Sequence, residues 1–168
     1  MIDQLKRLLE YDGWANARVL ESIGQLEQPA ERIVRLYAHI VASRVRWIGM
    51  MNGEDLAGMD TWPEWQIAAS REQGRQADIA MMHLLERVTE EDLMNNKVTY
   101  TNAKGEHLEF AWGDVLLHSI NHSVHHRAQI SSAVRAGGGE PLWLDYIVMC
   151  KQEYQQQAQA AEGGKSNG

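Results

Sequence analysis

Apolar residues recur at helical spacing through most of the chain. Ile2, Leu5, Leu8, Leu9, Ala15, Leu20 and Ile23 form one drifting stripe and predict a first helix from Ile2 to about Leu26. Gly13 lies inside it and suggests a close packing contact, with Trp14 expected in the core. Pro29 suits the first turn of a second helix that runs to about Met51 and stops at Asn52-Gly53. Ile33, Leu36, Ile40 and Trp47 mark its inner face, and His39 falls beside that face. Gly53 to Asp60 reads as a loop. Thr61-Trp62-Pro63-Glu64 has the form of a capping box with proline in the first turn, so a third helix is predicted from there to about Arg87. Its inward positions are Ile67, Ala77, Met81, Leu84, Leu85 and Val88, with His83 at the surface.

The period then changes. Val98 to Thr101 and Glu106 to Phe110 alternate about Asn102-Ala103-Lys104-Gly105, which predicts a short β-hairpin with His107 solvated. A fourth helix spans about Ala111 to Arg135 and stops at three glycines, Gly137 to Gly139. A last helix starts near Pro141 or Leu142 and runs to about Ala160, with Leu144, Ile147, Val148 and Tyr154 inward. These elements predict an all-α four-helix bundle with a hairpin before the fourth helix and a C-terminal fifth helix. One domain, 1–161, is expected, with a polar, glycine-rich tail at 162–168 that is read as disordered. The connection between helices two and three is long enough for a crossover.

Composition narrows the function classes. A chain of 168 residues that is 44 % hydrophobic can bury a substantial core. No apolar run approaches the ~20 residues of a membrane span, and the first residues lead into an amphipathic pattern and not a signal-peptide core. The single cysteine, Cys150, excludes an intramolecular disulfide and reads as a buried thiol. These features predict a cytoplasmic protein that does not engage a membrane. A net charge of −7 without a basic block disfavours nucleic-acid binding.

The chemistry concentrates in the fourth helix. Of the 7 histidines, His118, His122, His125 and His126 fall close together there. No proline or glycine interrupts Val115 to Ala136. Residues four apart share a helix face, so His118, His122 and His126 form a stripe that Gln129 continues. His125 is rotated about 100° from His126 and does not easily join the same site. Imidazoles at i and i+4 can grip one metal ion, and a metal is the commonest partner for several imidazoles on a partly apolar face. Taken alone, the stripe can also be polar histidines packed at a core edge. No Glu-x-x-His, His-Glu-x-x-His or Gly-x-Ser-x-Gly occurs, which sets aside ferritin-like di-iron, zincin and serine-hydrolase sites.

Three separated stretches together resemble the DinB superfamily, the DinB/YfiT-like metalloenzymes linked to damage-inducible and stress-response proteins. They are Tyr11-Asp12-Gly13-Trp14-Ala15-Asn16; Leu36-Tyr37-Ala38-His39-Ile40 with Trp47; and His118 to Ile130 with Gly137-Gly138-Gly139-Glu140-Pro141 and Asp145. Ala128 stands where the family often has glycine before the glutamine. The resemblance implies a four-helix bundle, often dimeric, with one divalent metal on three histidines, matched here to His39, His122 and His126. Nickel or zinc is associated with the family site, and nitrogen ligands suit iron as well. Asn16, Gln129 and Asp145 are candidates for orienting the rings.

Three imidazoles leave a coordination position open for water or substrate, as in catalytic sites. The family includes enzymes that use low-molecular-weight thiols, the mycothiol-dependent maleylpyruvate isomerase type and the bacillithiol transferases. The resemblance therefore implies a metal-dependent transferase that joins such a thiol to a small electrophile, or a metal-dependent hydrolase. The alternatives are a non-enzymatic metal-binding stress-response protein and an interaction module with a vacant site.

Overall fold

The computed structural model describes the chain except Ala57, Ala103 and 166–168, and the side chains of 162–165. The elements are α1 (Ile2–Ile23), α2 (Glu31–Met51), α3 (Ile67–Arg87), α4 (Glu90–Asn95), β1 (Lys97–Thr101), β2 (His107–Ala111), α5 (Trp112–Ala136) and α6 (Tyr146–Lys165). The fold is an all-α bundle of α1, α2, α3 and α5 with one small hairpin, as the hydrophobic pattern predicts.

Directions follow from which residues share a core. One cluster gathers Leu5 and Leu9 from α1, Ile48 and Met51 from α2, Met81 and Leu85 from α3, and Val115 and Leu116 from α5. The other gathers Val19 and Ile23, then Ile33 and Leu36, then Ile130 and Val134. α1 and α2 therefore run antiparallel, and α5 runs with α1. α2 and α3 run parallel, since Gly74 meets Val41 and Asp78 meets Arg44. A side chain at Gly74 would put its Cβ 3.3 Å from Val41 Cγ2, so glycine permits this close approach. The parallel pair requires a crossover, and the segment between Met51 and Ile67 supplies it.

Between the two apolar clusters lies a polar layer. The Asp12 carboxylate, fully buried, pairs with the guanidinium groups of Arg44 and Arg127, both 2 % exposed. Arg44 also pairs with Asp78, and Arg127 donates to Asn16 Oδ1 at 3.0 Å. Two arginines and two aspartates balance in charge, which is the condition for burying Asp12, Arg44 and Arg127, with Asp78 at the solvent edge. Ser123, next to His122 on α5, accepts from Arg44 at 3.3 Å and donates to the Ser119 carbonyl at 3.0 Å. The wheel position of Asp12 announces the layer: Leu5, Leu9, Asp12, Asn16, Val19 and Ile23 are all buried along one face of α1.

Several sequence expectations change. Thr61-Trp62-Pro63-Glu64 caps no helix; Asp60 Oδ1 accepts from the Trp62 backbone N–H at 2.8 Å, and α3 starts only at Ile67. The extra helix α4 is capped by a true box between Thr89 and Asp92. Trp14 is half-buried against α6, where its Nε1 donates to Gln152 Oε1 at 3.1 Å. A Cβ at Gly13 would sit 3.6 Å from Asp78 Oδ2, an ordinary contact, so space does not demand that glycine.

α6 begins at Tyr146, later than expected, and runs through Lys165, into the stretch read from the sequence as a tail. Its residues Ile147 and Tyr154 are exposed, contrary to the inward reading, while Met149 is buried. Polar contacts to α1 accompany this phase: Arg7 pairs with Glu153, and Tyr11 donates to the Leu144 carbonyl at 2.8 Å. Cys150 is half-buried, with Sγ 3.8 Å from Arg7 Nη2, and not sealed in the core. In the hairpin, Val98 pairs with Phe110 and Tyr100 with Leu108, and Asn102 Oδ1 accepts from the Lys104 and Glu106 backbones. Ala103 of the predicted turn lies outside the described residues. His83 and His107 are exposed as predicted. No helix among the described residues is long and apolar enough to cross a membrane.

Candidate metal centre

Antiparallel packing of α2 against α5 sets His39 opposite His122 and His126. His39 and His126 are 7 % and 9 % exposed, and His122 is half-buried. The His122 Nε2 atom stands 3.1 Å from His39 Nε2 and 3.2 Å from His126 Nε2. The ligand atoms of all three rings lie within 4.8 Å of one another. Nitrogens held at ~2.0–2.1 Å around one tetrahedral ion stand about 3.3 Å apart. Both short separations match that spacing.

Hydrogen bonds on the far side of two rings fix which nitrogens face inward. The Thr61 carbonyl can only accept, so His39 Nδ1 is the N–H that donates to it, at 2.5 Å. The Nε2 of neutral His39 is then a lone pair aimed at the cluster. Gln129 performs the same service for His126. Its Nε2 donates to His125 Nε2 at 2.9 Å, which leaves Oε1 to accept from His126 Nδ1–H at 3.2 Å. Two lone pairs therefore face His122 Nε2, whose single proton could bridge only one of them. A cation resolves the conflict; three neutral imidazoles alone do not. The donor set fits a divalent metal.

Electrostatics favour the neutral, ligating form. Burial and then the His126 and His39 rings push His122 down to about 4. Burial lowers His39 against the opposing hydrogen bond to Thr61, and lowers His126 against the opposing bond to Gln129. The crossover segment roofs the cluster. Trp62 stacks on His39 with centroids 3.7 Å apart and planes 6° from parallel. That contact, and the Thr61 carbonyl, explain the missing capping box: the backbone group that would begin a helix is engaged by a histidine.

The remaining sequence candidates separate. His118 is exposed, one turn from His122 with ring centroids 5.5 Å apart, and packs edge-on to Trp47 at 5.8 Å. His125 is exposed and bonds Gln129, outside the cluster, as its helix phase predicts. Gln129 touches the centre. Asn16 does not; it is buried in the Asp12–Arg127 layer. Asp145 does not contact the histidines among the described residues; it is exposed just before α6, lining a cavity with Tyr11, Arg127 and Leu144. Sequence reasoning missed Thr61 and Trp62, which no periodicity marks, and missed the Asp12–Arg44–Arg127 layer.

The chain matches known proteins over nearly its whole length. The DinB family model matches residues 1–159. The Protein DinB of Bacillus subtilis (strain 168) is 22 % identical over 161 residues, covering 87 % of this chain and 93 % of that protein. With the family model spanning nearly its whole length, the chain belongs to the DinB family.

Proposed function

We propose that the chain is a metal-dependent transferase that joins a low-molecular-weight thiol to a small electrophile at the three-histidine centre. The observation that carries the reading is the convergence of His39, His122 and His126 through Nε2, with Thr61 and Gln129 holding two rings in the ligating tautomer. His39, His122 and His126 would hold the ion. A bound divalent metal supplies Lewis acidity, with a coordination position left free by a three-histidine set.

The chain's own residues supply the rest. Gln129 and the Thr61 carbonyl keep the rings oriented, so binding costs little rearrangement. Trp62 covers His39 and limits water on that side. His122 stays half-buried, which keeps the centre reachable and favours catalysis over a purely structural ion. With an epoxide as electrophile, a sulfur–carbon bond forms, a carbon–oxygen bond breaks, and the thiol proton ends on the freed oxygen. No further reactant is needed.

The test is thiol consumption by nickel- and zinc-loaded protein with a small epoxide or alkyl halide, using cysteine and cysteine-containing thiols. Turnover lost in His122→Ala supports the reading. Metal bound at one equivalent without turnover for any thiol would replace it with the non-enzymatic metal-binding role.

A further inference from the structure

Two cavities open beside the histidine centre, and Arg32 and Gln129 line both of them. One, of about 670 Å³, reaches Trp62 and Arg35. The other, of about 1080 Å³, continues past His125 toward Gly138 at the end of α5. Together they form a groove between the start of α2 and the second half of α5. Gln129 forms part of its wall, and the same side chain holds His126. None of His39, His122 and His126 lines either cavity, so Gln129 is the side chain that links the groove to the centre.

The groove carries two guanidinium groups for an anion. Arg32 and Arg35 are exposed, three positions apart on one side of α2, and among the described residues neither has an ion-pair partner. Planar guanidinium groups favour carboxylates through paired hydrogen bonds. Glu27 and Glu31 lie on the same walls, and the chain as a whole is at −7. A long polyanion meets repulsion there, whereas a small carboxylate can reach the arginines and avoid the glutamates.

We infer that this groove is the carboxylate-binding subsite of the histidine centre: Arg32 and Arg35 hold the acid group of a small substrate, and Trp62 and Gln129 guide its other end toward the centre. The inference rests on the proposed function, which needs a substrate beside the histidines. It narrows that substrate to a carboxylate-bearing small molecule.

Calorimetric titration of the metal-loaded full chain with succinate, and with succinamide as the neutral counterpart, tests it. Succinate should bind and succinamide should not. Arg32→Gln with Arg35→Gln should weaken succinate by about tenfold or more, with metal content unchanged. Two results would overturn the subsite: unchanged succinate affinity in the double variant, or equal binding of the diamide. Succinate binding that survives in the double variant but vanishes on metal removal would also overturn it, because the carboxylate would then be ligating the metal. Metal content measured on the same samples tests the centre separately, so the two readings fail in different ways.

Discussion

At the residue scale the centre depends on side chains that touch no metal. Gln129 is the clearest: one amide fixes His126 and engages His125. Replacing it by leucine should lower metal affinity about 10–100-fold, the usual cost of losing a group that orients a ligand. Competition with a chromophoric chelator measures this, and an affinity equal to wild type would remove Gln129 from the centre. His126→Ala should abolish binding and His125→Ala should largely spare it, because His125 bonds Gln129 and lies outside the three-histidine group.

The histidines also set a pH dependence. His122 is depressed from 6.5 to about 4, so the unfolded chain takes up a proton at higher pH than the folded one. The stability that neutral His122 contributes is therefore present above pH 6.5 and lost as the pH falls through about 4. Metal-free protein should melt at progressively lower temperature across that window, and His122→Gln should flatten the trend. Metal affinity should fall in the same direction. From sequence alone that fall belongs in the ordinary histidine range; burial moves the His122 part of it lower.

At the element scale the crossover between α2 and α3 has a second duty. It connects two parallel helices, and it lays Thr61 and Trp62 over His39. Trp62→Ala should speed metal loss to a chelator by about tenfold, with the fold intact by circular dichroism. Equal release rates would mean that the crossover merely connects. This segment also shows where sequence reasoning stops. The helix faces, the hairpin and the i, i+4 histidines have periods that can be read along a chain. The crossover has none. Its Thr-Trp-Pro-Glu string satisfies a local rule for starting a helix, and only the nearby His39 ring shows why the helix waits until Ile67. α6 is a milder case: Met149 is its buried apolar residue and Arg7 of α1 pairs with Glu153, while Ile147 and Tyr154 are left exposed.

At the scale of the whole molecule, the polar layer divides the bundle core. Asp12, Arg44 and Arg127 lie between the two apolar clusters on three helices, and α3 closes the layer with Asp78. The layer pins the register of α2 against α5, and with it the height of His39 relative to His122 and His126. Arg44 reaches Ser123 and Arg127 follows His126, so the network and the centre occupy neighbouring stripes of α5. Removing a partner from a buried ion network strands the others. Asp12→Ala should cost about 3–5 kcal/mol in urea unfolding; a loss below about 1 kcal/mol would mean that the arginines find other partners. Asp12 was legible as one residue of a family-like stretch, but its role was not, because pairing between helices far apart in sequence leaves no local pattern.

At this same scale, the proposed centre joins α2 and α5 around one divalent ion. Elemental analysis of protein purified without chelator tests it most directly, beside the His39→Ala and His122→Ala variants. About one equivalent of a transition metal per chain is expected, lost in both variants. No metal, or metal unchanged in either variant, would contradict it.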